Sequence, residues 1–260
     1  MKKFEFNHER GTHLEIAGAS IYYEVLENAG KPTLLFLHGG MGNIEDFNPV
    51  LPLLADDYHI VGIDSRGHGK STLGTEPLNY KRLQLDIEAI INYLQLKNTS
   101  IIGFSDGGVV AYRLALSSEV SIQKIITLGA VCNKDSAKLN QKFFEGVTHE
   151  DYFAMLKQNF DFYKQHNPEP DVEKFIKHTE SMWFDTSENG YPNLDASTID
   201  IPALIVRGND DFDALEAYVE MIPKIPNAIF FNVPFEAHTP TFEKYPQFFI
   251  EVTRDFLEPV

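Results

Sequence analysis

The stretch Ile101-Ile102-Gly103-Phe104-Ser105-Asp106-Gly107-Gly108-Val109-Val110 decides the reading of this chain. A short apolar run of strand type leads into a G-x-S-x-G, and an Ala/Leu-rich helical pattern follows at once. A sharp strand-to-helix turn lifts a Ser hydroxyl clear of a sheet, and the crowded backbone around it admits only small residues two before and two after. Gly103, Gly107 and the extra Gly108 meet that demand. A bare G-x-S-x-G also arises in Gly/Ser-rich loops without chemistry, so the strand before and the helix after are what make Ser105 a candidate nucleophile.

Outward from Ser105, strand-like runs cover Ile21–Leu26, Thr33–Leu37, His59–Ile63, Ser100–Phe104, Ile122–Leu128, Ala203–Val206 and Ala228–Val233. Most are near-continuously apolar, the pattern of strands covered on both faces, which predicts a mostly parallel sheet between helix layers. Helical periodicity lies between them, at Tyr80–Leu94, Val109–Leu116, Leu215–Ile222 and Tyr245–Leu257. The alternation predicts a doubly wound α/β fold with a core of residues 1–132 and 199–260. Residues 133–198 break the rhythm, with no convincing buried strand and helix-like patterns rich in aromatics, from Phe143, Phe144 and Tyr152 to Trp183. Most of these aromatics are expected to form the small core of a helical insertion after the Ile122–Leu128 strand. An excursion of that length in a compact fold usually carries function, and a cap or lid over Ser105 is the reading it suggests.

With 260 residues the chain can bury a substantial single core. A formal charge of −16, with 22 basic residues against 38 acidic ones and no basic block, argues against nucleic acid or an anionic membrane as partner. A small substrate, neutral or cationic, fits better. Met1-Lys2-Lys3 precedes no apolar signal region and no stretch approaches a membrane span, so a cytoplasmic location is expected. Cys132 is the single cysteine, which excludes an intrachain disulfide; at the end of an apolar strand its expected role is packing.

A serine hydroxyl needs a base. Of nine histidines, His238 follows the last predicted strand and precedes the C-terminal helix, while Asp210 and Asp211 follow the strand before it. Both positions lie at the carboxyl ends of strands, the edge where open α/β sheets place their sites. An acid there would hold the imidazole tautomer, leaving the other ring nitrogen to take the Ser105 proton. For the negative charge on a reacting carbonyl oxygen, two backbone amides are candidates: that of Asp106, and that of Gly40 in Leu37-His38-Gly39-Gly40-Met41-Gly42. His38 is expected to brace that loop rather than act in chemistry. Asp64-Ser65-Arg66-Gly67-His68-Gly69-Lys70-Ser71 lacks the spacing of a phosphate-binding loop and is expected to be structural.

Together, His38-Gly39-Gly40, Asp64-Ser65-Arg66-Gly67-His68-Gly69, Gly103-Phe104-Ser105-Asp106-Gly107-Gly108, Gly208-Asn209-Asp210-Asp211 and His238 resemble the successive signatures of the α/β-hydrolase superfamily, from about residue 12 to the C-terminus. The resemblance implies a Ser105, Asp211, His238 triad, preferring Asp211 because the acid stands three residues after the Gly. It also implies no metal or organic cofactor. It is poorly specific for substrate: esterases, thioesterases, lactonases, C–C bond hydrolases, peptidases and cofactor-free haloperoxidases share these motifs. The Ser-Asp-Gly-Gly elbow is similar to that of the biphenyl-hydrolase-like branch, which includes amino-acid ester hydrolases. Ser rather than Asp at 105 argues against epoxide hydrolase and haloalkane dehalogenase chemistry. The leading expectation is a serine hydrolase acting on a small carboxylic ester through an acyl-enzyme; a non-catalytic ligand-binding protein of the same fold is the rival from another class.

The Asp106 side chain is an electrostatic liability beside an oxyanion. It is expected either to turn away onto backbone amides or a basic side chain, or to face the pocket and pair with a cationic substrate group.

Overall fold

The computed structural model describes residues 4–132, 135–192, 199–239 and 241–258. Eight strands form one sheet: β1 (Thr12–Ile16), β2 (Ala19–Leu26), β3 (Thr33–Leu37), β4 (His59–Ile63), β5 (Thr99–Phe104), β6 (Ile122–Leu128), β7 (Ala203–Gly208) and β8 (Ala228–Val233), in the order β1-β2-β4-β3-β5-β6-β7-β8. The β1–β2 and β2–β4 pairs are antiparallel, and every other pair is parallel. This is the doubly wound, mostly parallel α/β sheet that the apolar runs predict.

Its core has two sides because side chains alternate along a strand. On β3, Leu34 and Phe36 join Ile60, Ile102, Leu204 and Phe249 on one face, while Leu35 and Leu37 join Val61, Ile101, Ile205 and Ile90 on the other. Each such fully buried side chain stabilises the fold by about 1.5–3 kcal/mol relative to an exposed one. Helices α1 (Leu51–Leu54), α2 (Tyr80–Tyr93) and α3 (Asp106–Ala115) fall in the first half of the chain, with α3 packing on β3, β5 and β6 and against α2. Asn79 starts α2 as a side-chain cap, accepting from the Arg82 N–H at 2.7 Å. Between β6 and β7 lie α4 (Ser136–Phe143), α5 (His149–Met155), α6 (Lys157–His166) and α7 (Val172–Trp183), and no described residue there is in a strand. Both ends of the expected 133–198 insertion fall outside the described residues. Helices α8 (Leu215–Met221), α9 (Thr241–Lys244) and α10 (Pro246–Leu257) complete the chain.

Two local readings differ from expectation. Strand β1 has no counterpart among the sequence-derived runs, because its residues are half-solvated and it sits at the sheet edge. A two-residue turn, Ala17 and Gly18 at φ 45° and 73°, folds it back on β2. Helix α3 begins at Asp106 rather than Val109, so the helix follows Ser105 directly.

The registers Leu37↔Gly103, Phe104↔Leu128 and Gly208↔Val233 bring the carboxyl ends of the parallel strands to one edge. The loops carrying Gly40, Ser105, Asp211 and His238 leave from that edge. Cys132 is buried, its Sγ 3.9 Å from the Pro192 carbonyl, and burial pushes its thiol pKa well up. Among the described residues no helix is long and apolar enough to cross a membrane.

Candidate active site

Ser105 takes φ 50° and ψ −116°, a conformation L-residues avoid and which costs of order 1–3 kcal/mol. The sequence tolerates it through its glycines: a Cβ on Gly103 would stand 2.3 Å from the Gly107 carbonyl oxygen, and one on Gly107 would stand 2.0 Å from that of Leu37. The turn is pinned from the sheet side by the Ser105 N–H donating to the Leu128 carbonyl at 2.8 Å.

His238 Nε2 lies 3.0 Å from Ser105 Oγ, and His238 Nδ1 lies 2.9 Å from Asp211 Oδ1. The Asp211 side chain is almost fully buried, and Oδ1 also accepts the Asp213 N–H at 3.2 Å. Buried Arg207 fixes the turn beneath it, donating to the backbone carbonyls of Asn209, Asp211 and Asp213 at 3.0–3.3 Å. Asp210 is exposed and bonded to the Asn209 amide, so Asp211 is the acid that meets His238. An Nδ1–H donated to Asp211 leaves Nε2 unprotonated and facing the Ser105 hydroxyl.

Gly40 lies across the cavity from Ser105, and Asp106 occupies the first position of α3, where helix geometry provides no intrahelical acceptor for its N–H. His38 holds the Gly40 loop: its Nε2 accepts from the Ser65 N–H at 2.9 Å, and its Nδ1 pairs with the Gly39 carbonyl at 2.7 Å. Burial pushes its pKa down, which suits a neutral ring in this bracing position.

The Asp106 carboxylate does not turn away onto backbone amides or a basic side chain; it faces the cavity, as the second expectation has it. Among the described residues no backbone amide or basic side chain donates to it. Neutral donors do so: Tyr80 Oη–H at 2.6 Å on Oδ1, and the Trp183 indole N–H at 3.0 and 2.9 Å on the two oxygens. Burial raises its pKa, with those two hydrogen bonds and the charge of His238 opposing the rise. Tyr80 lies 3.2 Å from the Tyr191 hydroxyl, which accepts from Asn140 Nδ2 at 2.6 Å.

The cavity beside Ser105 measures about 270 Å³. Phe143, Phe144, Tyr152 and Trp183 line it from the insertion; Phe153, Phe160, Tyr163 and Phe175 instead pack on one another. The sequence reading passed over Tyr80, Tyr191, Phe212 and Asp213. Phe212, whose ring centroid is 4.3 Å from that of His238, and Asp213 directly follow the acid, so adjacency was the available signal. Tyr80 and Tyr191 come from distant segments with no motif. Among the described residues lining the cavity none is Lys or Arg. No group of three or more His, Cys, Asp or Glu suited to a metal is present among the described residues.

Comparison with known proteins bears on the fold and the family. Over 273 aligned positions the chain is 25% identical to a Haemophilus influenzae protein whose name provisionally places it among esterases or lipases, covering 95% of this chain and 91% of that protein. It is 30% identical to the uncharacterized hydrolase YugF of Bacillus subtilis over 54% of this chain, which spans about half of that protein. The crystal structure of a hydrolase from Pseudomonas aeruginosa PA01 superposes with a TM-score of 0.75 at 22% identity, over 97% of this chain and 100% of that one. The sequence profile of the alpha/beta hydrolase fold matches residues 32–171, more than half of the chain, and with the sheet order and the serine turn described above this places the protein in the α/β-hydrolase superfamily.

Proposed function

We propose that the protein is a serine hydrolase that cleaves a small carboxylic ester through an acyl-enzyme. The observation that carries this reading is the continuous contact from Ser105 Oγ to His238 Nε2 at 3.0 Å and from His238 Nδ1 to Asp211 at 2.9 Å. His238 takes the hydroxyl proton as Ser105 attacks the ester carbonyl. The Gly40 and Asp106 amides receive the charge on the carbonyl oxygen, and His238 returns the proton to the departing alcohol. Water then repeats the sequence to release the acid.

The mostly apolar cavity supports a small acyl or aryl group. The Asp106 and Asp213 carboxyls on its wall, with the chain's charge of −16, favour neutral or cationic substrates over anionic ones. The α4–α7 insertion serves as a cap that excludes water from the acyl-enzyme.

Turnover of p-nitrophenyl acetate beside a panel of small esters, thioesters, lactones and C–C substrates tests the assignment. Ester turnover that exceeds the rest supports it. Preference for another bond on the same triad moves the reaction class, and saturable binding without turnover favours the ligand-binding alternative.

A further inference from the structure

His8 lies outside the triad and its cavity, yet it has three features that packing alone does not require. It is 2% exposed with both ring nitrogens on carboxylates: Nδ1 lies 2.7 Å from Glu45 Oε1 and Nε2 lies 2.8 Å from Asp64 Oδ2. Its backbone stands at φ 54°, an uncommon conformation for a residue with a side chain. Its ring stacks on Tyr22 at 5.3 Å and meets Phe162 of α6 at 4.7 Å between centroids.

The connections run toward the candidate oxyanion site. Asp64 Oδ1 accepts the Ile44 N–H at 3.1 Å, and Oδ2 accepts that of Lys70 at 2.8 Å. Ile44 and Glu45 open the short helical turn that follows Gly39–Gly42, so one imidazole joins that turn to the carboxylate beneath it. The neighbouring His38–Ser65 bond ties the same two loops. The N-terminal segment is itself anchored by Phe6, whose N–H donates to Asn48 Oδ1 at 2.8 Å and whose carbonyl accepts from Asn48 Nδ2 at 2.9 Å.

We propose that His8 is a positioning residue for the oxyanion loop: as an imidazolium donating to both Asp64 and Glu45, it holds the turn after Gly40 against the 64–71 loop. The proposal rests on the serine-hydrolase reading. A neutral imidazole has one N–H and satisfies one carboxylate; the doubly protonated ring satisfies both. Burial alone would lower its pKa, but the hydrogen bonds to Asp64 and Glu45 and then their charges raise it to about 9. The other ionisable groups around it are Lys70, whose ammonium donates to the His8 carbonyl, His166 on α6, His38, the stacked Tyr22, whose hydroxyl donates to Glu24, and Glu24 itself on β2, which also accepts the Asn7 N–H. Losing this grip should disturb the transition state and spare substrate binding, because oxyanion donors act after attack and the cavity wall lies elsewhere.

The test compares wild type, His8→Gln and Glu45→Gln, with active sites counted by fluorophosphonate capture of Ser105. Ester turnover is followed from about pH 6 to 10, and the histidine Cε1–H resonances are titrated by NMR, with His8→Gln identifying that of His8. Expected for His8→Gln is a kcat per active site about 10-fold lower at pH 7 with KM within about twofold, a fraction of the 10²–10³ lost when an oxyanion donor is removed. Wild-type kcat should fall as pH rises through about 9, in step with the His8 resonance. His8→Gln should lack that fall. In Glu45→Gln both the fall and the resonance should move to lower pH; the Glu45 side chain is 35% exposed, which makes this variant tolerable to the fold. A His8→Gln enzyme with wild-type kcat per site and an unchanged alkaline fall overturns the proposal, and so does one whose only defect is fewer active sites. A wild-type Ser105 that resists the fluorophosphonate overturns the hydrolase reading and this one with it, whereas a labelled Ser105 indifferent to His8 overturns this one alone.

Discussion

The indole N–H of Trp183 donates to both carboxylate oxygens of Asp106, the residue after Ser105, at 3.0 and 2.9 Å. Trp183 ends α7, so this contact fastens the helical insertion to the serine turn across 77 residues. The same ring rests on Gly40, where an added Cβ would stand 2.6 Å from Trp183 Cζ2 and 2.6 Å from Asp106 Oδ2.

Trp183→Phe keeps most of the ring and removes the donor. A hydrogen bond to a charged group is worth roughly 1.5–3 kcal/mol, so kcat/KM should fall by about 10-fold or more while the fold survives. Steady-state kinetics beside a thermal melt provide the check. Unchanged kcat/KM would mean that the Asp106 contact does not bear on the site.

The wall carboxylate predicts a substrate preference. Wild type should favour an amino-acid ester over its deaminated analogue by about 10-fold or more, and Asp106→Asn should lose most of that preference, because pairing with a desolvated ammonium is of the same 1.5–3 kcal/mol order. Equal treatment of the two esters by both proteins would leave Asp106 a purely structural group and remove the case for a cationic substrate.

Much of this site was legible before any coordinates, and the reasons are local. Strands such as β3 and β6 announce themselves because both faces are buried, and the glycines at 103 and 107 are demanded by carbonyl oxygens about 2 Å from where their side chains would begin. The preference for Asp211 over Asp210 came from its spacing after Gly208 in the family resemblance, whereas the turn that Arg207 fixes beneath it is a contact set among residues with no motif. Tyr80 and Trp183 converge on Asp106 only through the packing of α2 and α7, and no spacing in the chain encodes that meeting. Edge strand β1 stayed hidden because solvent dilutes its alternation.

Asp213 gives a pH signature in stability. Burial first, and the Asp211 charge second, push its carboxyl up to about 7. The unfolded chain releases that proton near 3.9, so between those values the folded state binds more protons, and stability falls as pH rises from about 4 to about 7. Asp213→Asn removes that slope. The Tm advantage of the variant over wild type should therefore widen from about pH 5 to 8, toward a difference of order 1–3 kcal/mol. Parallel Tm curves over that range would contradict a buried, ionising Asp213.

If Ser105, His238 and Asp211 act as a unit, their losses do not add. Ser105→Ala should lower kcat by about 10⁴–10⁶, and His238→Ala added to it should cost little more. A single variant keeping a tenth of the wild-type rate would remove its residue from the mechanism.

The central claim is that Ser105 is a nucleophile activated by His238, and covalent capture tests it most directly. The protein would be treated with a fluorophosphonate, the adduct located by peptide mass mapping, and the labelling rate compared among wild type, Ser105→Ala and His238→Ala. The account predicts one adduct per chain on Ser105, none in Ser105→Ala, and labelling slowed by about 10³-fold or more in His238→Ala. An unmodified Ser105 in folded protein, or labelling indifferent to His238, would contradict it.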